Sequence, residues 1–396
     1  MQRLDIVGGT YMENSTEPYS SELYGSGLRA AAALSGKGFP ICFTSLVGPD
    51  FRQLADYQSK SFGFDTKFHE IAQTVHFDYY HPLSHPIPIN VPKHNYKDLT
   101  LTGECILFYG LIEADFSVHA DYLVYDPQNH IPYHETGSTS NHLALILNKQ
   151  EAEIFSAIES TDLVEIGKHL IELEKAEVIV IKNGSKGALV LEGNQVHEIP
   201  IFETTSVWPI GTGDIFSAVF AWHWMIEKKT AKDAALLASK SVAEYSQSRH
   251  LPIKCNDSFQ PHAIQPSAKK IYLASPFFTL GERFLINEVR NILSTFGNTV
   301  FSPYHDAGIL PDGFTREEAK QIASIDLAQI ESSDTVFAVL SGLDPGTLFE
   351  IGYARGIGKR VVIFAENIKD ADLPMFLGTD CEITSDLSTA LYKASW

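Results

Sequence analysis

Short, continuous apolar runs separated by segments of helical period set the pattern of this chain. Residues 3–9 (RLDIVGG), 40–47 (PICFTSLV), 105–109, 121–125, 143–147 and 177–182 are rich in Val, Ile, Leu and aromatic side chains and are bounded by Gly, Pro, Asn or Asp. Runs of that kind predict strands buried on both faces, as in a parallel sheet. Residues 25–36, 150–160, 161–175 and 214–226 place apolar side chains at helical spacing between them. Strand alternating with helix over roughly the first 250 residues predicts a doubly wound α/β domain. Residues 67–102 break the pattern, because IAQTVHFDYYHPLSHPIPINVPKHNY alternates His, aromatic, Pro and Thr without a helical period. This segment predicts antiparallel β structure followed by a Pro-rich loop.

Residues 253–268, around KCNDSFQPHAIQPSA, are polar, carry two prolines and lack periodicity, which predicts a linker between domains 1–252 and 269–396. Beyond it the alternation resumes. Strands are predicted at 270–275, 299–302 and 334–340, and helices at 281–296, 315–332 and from 346 onward, in a smaller doubly wound domain of five short strands.

Charge narrows the partners. Forty-nine acidic against thirty basic residues leave a net charge of −19, a field that repels nucleic-acid polymers and anionic membranes and leaves small molecules as the expected ligands. Cys42, Cys105, Cys255 and Cys381 lie far apart in no metal or redox pattern. Together with an N-terminus that enters a strand directly and no run of about 20 apolar residues, this predicts a cytoplasmic protein. His76, His81, His85 and His94 cluster in sequence but have no carboxylate or Cys at ligand spacing, so they read as loop residues.

Two stretches carry chemistry. In the first, Asp334 to Leu340 reads as a strand, GLDPG as a turn and Gly346 onward as a helix, so Asp344 and Glu350 flank a strand-to-helix turn. Ligands of open α/β sheets bind at that edge. Glu350 has apolar neighbours, Phe349 and Ile351, that would desolvate it and hold it as a nucleophile is held. Asp344 reads equally as a turn residue before Pro345, and Asp326 as a polar residue within a helix. With Tyr272 in KKIYLASPFF and Asp326 in SIDLAQI, the set resembles the nucleoside 2-deoxyribosyltransferase family over residues 270–365. The resemblance implies a flavodoxin-like fold and cleavage or transfer at an N-glycosidic bond, without a cofactor. It further implies a covalent Glu350-glycosyl intermediate, Tyr272 orienting Glu350, and Asp326 and Asp344 holding base and sugar or relaying the proton. Ser275, Thr279 and Arg283 are candidates for a 5′-phosphate, and the terminal carboxylate of Trp396 is a candidate for contact with the base.

In the second stretch, Val207 to Phe220, Gly211-Thr212-Gly213 opens a helix beside Asp214. Loop N–H groups and the positive helix end make an anion site there, with a carboxylate placed to accept a hydroxyl proton. Glycines that permit a tight turn and an Asp that caps a helix explain the same residues structurally. GTGDIFSA resembles the GAGD box of the ribokinase-like (PfkB) kinases, with Asp214 as base. Asn148 and Glu151 resemble their NxxE element, Asp126-Pro127 the preceding DP, and KNGSKGA the nucleotide-side turn, over residues 1–252. That resemblance implies a ribokinase-like doubly wound sheet with a small β lid, ATP and Mg2+ as cofactors if active, and Glu151 near the metal. Departures accompany it: Arg29 and a run of alanines stand near the family's sugar-binding Asn, Trp208 replaces the Asp that opens the box, and Glu13 replaces an early sugar-binding Asp. Base and anion hole are thus expected to survive where sugar recognition does not.

The leading expectation is an enzyme of the N-glycosidic bond of a nucleoside or nucleotide, with a PfkB-like domain that binds or phosphorylates a related molecule. Two alternatives stay open: an active nucleoside or sugar kinase with an accessory C-terminal domain, and a degenerate-kinase sensor gating a nucleotide or NAD glycohydrolase, for instance in phage defence. Both families imply a homo-oligomer.

Overall fold

The computed structural model describes residues 2–92, 96–128, 131–254, 259, 261–264, 267–310 and 313–396. His94 and Cys255 lie outside the described residues. The chain divides into two compact units, Met1–Thr204 with Trp208–Gln265, and Thr205–Val207 with Pro266–Trp396.

Alternation along the strands builds the first unit's two cores. Leu4 and Ile6 turn to one face of the sheet and Val7 to the other; Cys105, Leu107 and Tyr109 join the first, Ile106 and Phe108 the second. Among the described residues the sheet has nine strands in the order Gln195–Ile199, Ala188–Glu192, Val178–Lys182, Thr139–Asn148, Ala114–Asp126, Tyr96–Tyr109, Leu4–Val7, Ile41–Val47, Asp65–Glu70. Seven of these run parallel, six of them at the buried apolar runs and the seventh at Asp65–Glu70, and the Gln195–Ile199 and Ala188–Glu192 edge is antiparallel. Helices Gly25–Leu34, Thr212–Ala221 and Ala231–Ser248 supply buried side chains to one core, and Lys149–Ser156 and Leu163–Glu174 to the other.

Residues 67–102 depart from the expected antiparallel β structure. Asp65–Glu70 pairs parallel with Ile41–Val47 at the edge of the main sheet. Among the described residues of this segment only His76–Tyr79 and Ile87–Ile89 form an antiparallel pair, within a separate sheet of four described strands completed by Met12–Ser15 and Ser20–Leu23. Those two short early strands are mostly polar and only half-buried, and gave no continuous apolar run to find them by.

Strands Tyr96–Tyr109 and Ala114–Asp126 pair in parallel although only residues 110–113 join them. Four residues cannot return along a straight strand of that length, so the pair must coil back over the sheet. Gly103 marks the bend: a Cβ there would lie 3.2 Å from the side chain of Ile106, three residues on, a contact an extended chain cannot make. Leu99, Leu101, Phe116 and Val118 pack into the second core along this return, in place of a crossover helix.

The second unit has a five-stranded, all-parallel sheet ordered Thr299–Phe301, Lys270–Ala274, Thr335–Ser341, Arg360–Glu366, Glu382–Thr384. The first strand in sequence, Lys270–Ala274, lies inside the sheet. Chain direction therefore switches between it and Thr335–Ser341, and the crevice at their carboxyl ends is the ligand position of such sheets. The stretch predicted as a structureless linker contains a short strand, Ala263–Ile264, paired with Ile201–Phe202.

Glycines hold the first helix against the sheet. A Cβ on Gly27 would stand 2.5 Å from the Phe43 ring and 2.7 Å from the Gly8 backbone. Gly27→Ala is expected to cost roughly 1–3 kcal/mol through overpacking, read as a lower urea midpoint with unchanged slope.

Candidate functional site

In the second unit, Tyr272 is wholly buried in strand Lys270–Ala274, and its hydroxyl donates to Glu350 Oε1 at 2.6 Å. Glu350 stands in the second turn of helix Pro345–Gly356. Burial pushes its carboxyl up to about 8; the Tyr272 hydrogen bond opposes this, and the charges of Asp326 and Asp344 add to it. Asp326, inside helix Arg316–Ser332, is raised to about 6 by burial, and its Oδ1 is buried with no hydrogen-bond partner. Burial, reinforced by Glu350, raises the Tyr272 phenol as well. Three carboxylates and a phenol thus act on one another where the sheet opens. Ile351 is buried as expected, whereas Phe349 is 63% exposed, so Tyr272 and the sheet, not Phe349, provide the shielding.

Asp344 has a structural task beside any chemical one. It is the N-cap of the Glu350 helix, accepting from Thr347 N at 2.7 Å and Thr347 Oγ1 at 2.9 Å through the same oxygen, Oδ2. Ser275 is buried at the end of Lys270–Ala274. Thr279, a phosphate candidate from sequence, caps helix Leu280–Thr295 in a reciprocal box with Glu282. Arg283 donates to the Phe277 carbonyl at 2.8 Å and lies over the Tyr304 ring. Trp396 is displaced from its expected place. Its carbonyl accepts from Arg360, the first residue of Arg360–Glu366, which puts it at the opposite edge of the sheet from Glu350, outside the site of its own chain.

In the first unit, Gly211 (φ 80°) precedes helix Thr212–Ala221, and Thr212 Oγ1 donates to Pro209 O at 2.8 Å. Asp214 is buried in the first turn but is not a free base. Arg29 Nη1 donates to its Oδ2 at 2.7 Å. The same guanidinium binds both oxygens of Glu13 and donates through Nε to Tyr245 Oη at 3.1 Å. Burial raises Asp214 to about 6, with Arg29 opposing and the Glu13 charge adding. Gln128 reaches Asp214 Oδ1 at 3.4 Å and Asp126 Oδ1 at 3.1 Å. Asp126 Oδ2 also receives Lys182 Nζ and Ser217 Oγ, at 2.7 and 2.6 Å. A Cβ on Gly213 would meet that Lys182 ammonium.

This corrects the expectation of a free base: Arg29, noted in the sequence only as a departure, pairs with Asp214. The signal was legible, since a lone Arg in GSGLRAAAAL must find a counter-charge if that helix is buried. Asn148 and Glu151 form a capping box, with Asn148 N donating to Glu151 Oε2 at 2.6 Å and Glu151 N to Asn148 Oδ1 at 2.9 Å. Among the described residues no three His, Cys, Asp or Glu side chains gather as metal ligands. Sequence reasoning also passed over Glu113, fully buried, bonded by the Tyr11 hydroxyl at 2.7 Å and raised by burial to about 7.

Comparison with known proteins divides the chain at the same place. Residues 271–386 match the family model for nucleoside 2-deoxyribosyltransferase, and residues 121–255 match that for the pfkB family of carbohydrate kinases. Ribokinase from Thermotoga maritima is 15% identical in sequence and superposes with a TM-score of 0.50 over 65% of this chain and 99% of its own. The nucleoside kinase of Methanocaldococcus jannaschii, also 15% identical, matches over 61% of this chain and 91% of its own, with a TM-score of 0.45. A 44-residue stretch is 48% identical to 2-dehydro-3-deoxygalactonokinase of Haloferax volcanii, covering 11% of this chain and 14% of that relative. The large parallel sheet is therefore that of the ribokinase fold, with a separate small parallel-sheet domain after it. No helix among the described residues is long and apolar enough to cross a membrane.

Glu350 holds its proton to higher pH folded than unfolded, so stability falls as pH rises from the ordinary carboxylate range toward about 8. Glu350→Gln is expected to be more stable than wild type at pH 8, by on the order of 2 kcal/mol, with the difference vanishing near pH 4 in melts across pH.

Proposed function

We propose that this chain cleaves or transfers at the N-glycosidic bond of a nucleoside or nucleotide through its nucleoside 2-deoxyribosyltransferase-type unit, with Glu350 as nucleophile. The observation that carries this reading is the 2.6 Å hydrogen bond from buried Tyr272 to Glu350, beside Asp326 with its unpartnered oxygen. A carboxyl raised to about 8 and another raised to about 6 together hold one proton at neutral pH. Such a pair supplies both a nucleophile and an acid. The proton rests mainly on Glu350, the higher of the two; passing it to Asp326 frees a Glu350 oxygen to attack C1′, and the C1′–N bond breaks toward the base. The bonding pair goes to the base nitrogen, which takes the proton. A second base or water then attacks C1′ of the glycosyl ester, its proton going back to Asp326, and Glu350 leaves as carboxylate. Tyr272 fixes the Glu350 rotamer, and Asp344, anchored by Thr347, presents its remaining oxygen. No cofactor enters these steps. Phe278, Leu280 and Phe284, strongly exposed around the start of the helix after Lys270–Ala274, support assembly of several copies.

A second reading, phosphoryl transfer by the first unit, is favoured by Asp214 at the head of helix Thr212–Ala221. PfkB kinases use ATP and Mg2+, and here the Arg29–Asp214 pair would have to open first.

Chromatography of purified protein with nucleosides, deoxynucleosides, nucleoside monophosphates and NAD is expected to show free base, with release lowered about 1000-fold or more in Glu350→Ala. Base release that survives in Glu350→Ala sinks the assignment. The kcat/KM profile against pH is expected to be bell-shaped, with limbs near 6 and 8. Because the Asp326 charge raises Glu350, Asp326→Asn is expected to lower the pH at which Glu350 ionises, a shift readable in the residual activity.

A further inference from the structure

We propose that the acceptor cleft of the kinase-type unit is filled by the protein itself: Arg29 occupies the position in which a sugar or nucleoside hydroxyl would meet Asp214. Asp214 is then a counter-ion, and the unit does not phosphorylate neutral acceptors. The inference is independent of the reading given to Glu350.

Four observations converge on it. Arg29 is 1% exposed, and its donors are taken up by Glu13, Asp214 and Tyr245, so the side chain is locked rather than draped over a surface. It presses on the phosphate loop, since a Cβ on Gly211 would come within 2.2 Å of Arg29 Nε. The space between loop and carboxylate, which an attacking hydroxyl needs, therefore holds a guanidinium. Both oxygens of Asp214 have partners, Arg29 on Oδ2 and Gln128 on Oδ1. An acceptor would need to displace one of them before giving up its proton. Finally, Glu13 belongs to Met12–Ser15 of the four-stranded sheet, and Arg29 ties this strand to helices Gly25–Leu34 and Thr212–Ala221 at once. Opening the cleft would separate buried opposite charges, which is costly.

An acceptor hydroxyl is neutral and arrives with a proton for Asp214. Arg29 arrives with a permanent charge and no proton it can lose. Substituting one for the other converts a base into half of an ion pair without moving it.

The test combines turnover and stability on the full chain. Wild-type protein with ATP and magnesium is offered a panel of pentoses, hexoses and nucleosides and followed by phosphorus NMR; no phosphorylated acceptor is expected. Arg29→Met leaves two buried carboxylates facing one another and is expected to lower Tm by about 10 °C or prevent folding. The triple variant Glu13→Gln, Arg29→Met, Asp214→Asn removes every charge of the cluster and is expected to recover at least about half of that loss. A phosphorylated product from the wild-type chain overturns the proposal. So does Arg29→Met melting with wild type, or a triple variant no better than the single one, folded or not.

Discussion

A carboxylate removed from water must either find a positive partner or keep its proton, and both units of this chain are arranged around that constraint. In the first, Asp214 and Glu13 find Arg29, and the three charges, one from the four-stranded sheet and two from separate helices, fix those elements together. In the second, no cation among the described residues pairs with Glu350. Tyr272 donates a hydrogen bond, Asp326 and Asp344 press their charge on it, and the carboxyl answers by holding its proton to about 8. The same chemical group meets a guanidinium in one unit and a phenol in the other, at 2.7 and 2.6 Å.

The architecture was largely legible because buried parallel strands write themselves as continuous apolar runs. Lys270–Ala274 and Thr335–Ser341 could be placed on that basis, and Asp344 and Glu350 followed from the turn between strand and helix. What escaped was structure with no such run. Met12–Ser15 and Ser20–Leu23 are short, mostly polar and half-buried, and Asp65–Glu70 is an edge strand of exposed character. Thr279 and Glu151 illustrate another limit. Each lies in a stretch that resembles a ligand site, yet each completes a capping box, and a sequence cannot say whether a polar side chain will satisfy a backbone N–H or a substrate. Trp396 was misplaced for a topological reason, because helix Leu387–Ser395 ends beside the first residue of Arg360–Glu366 rather than beside its last.

Arg29 is the instructive case. Resemblance to a kinase motif draws attention to residues that match, here Asp214 in GTGD, whereas the informative residue was one that did not. A motif identifies a position in space; its chemistry depends on which neighbours reach it. The intact GTGD and the pairing of its Asp are compatible because the loop, through Gly211, leaves room for the guanidinium.

The coiled return at Gly103 bears on the order in which the first unit assembles. The paired residues of Tyr96–Tyr109 find partners only about 17 residues further along, whereas Leu4–Val7 pairs about 37 residues away on one side and about 100 on the other. Contacts close in sequence form with less loss of chain entropy, so the coil from Tyr96 to Asp126 is the natural seed of the sheet. The amino-terminal strand, whose pairing with Tyr96–Tyr109 closes a long loop, is then expected to be inserted late, between neighbours drawn from both sides. In native-state hydrogen exchange its amides would then open before those of the coil.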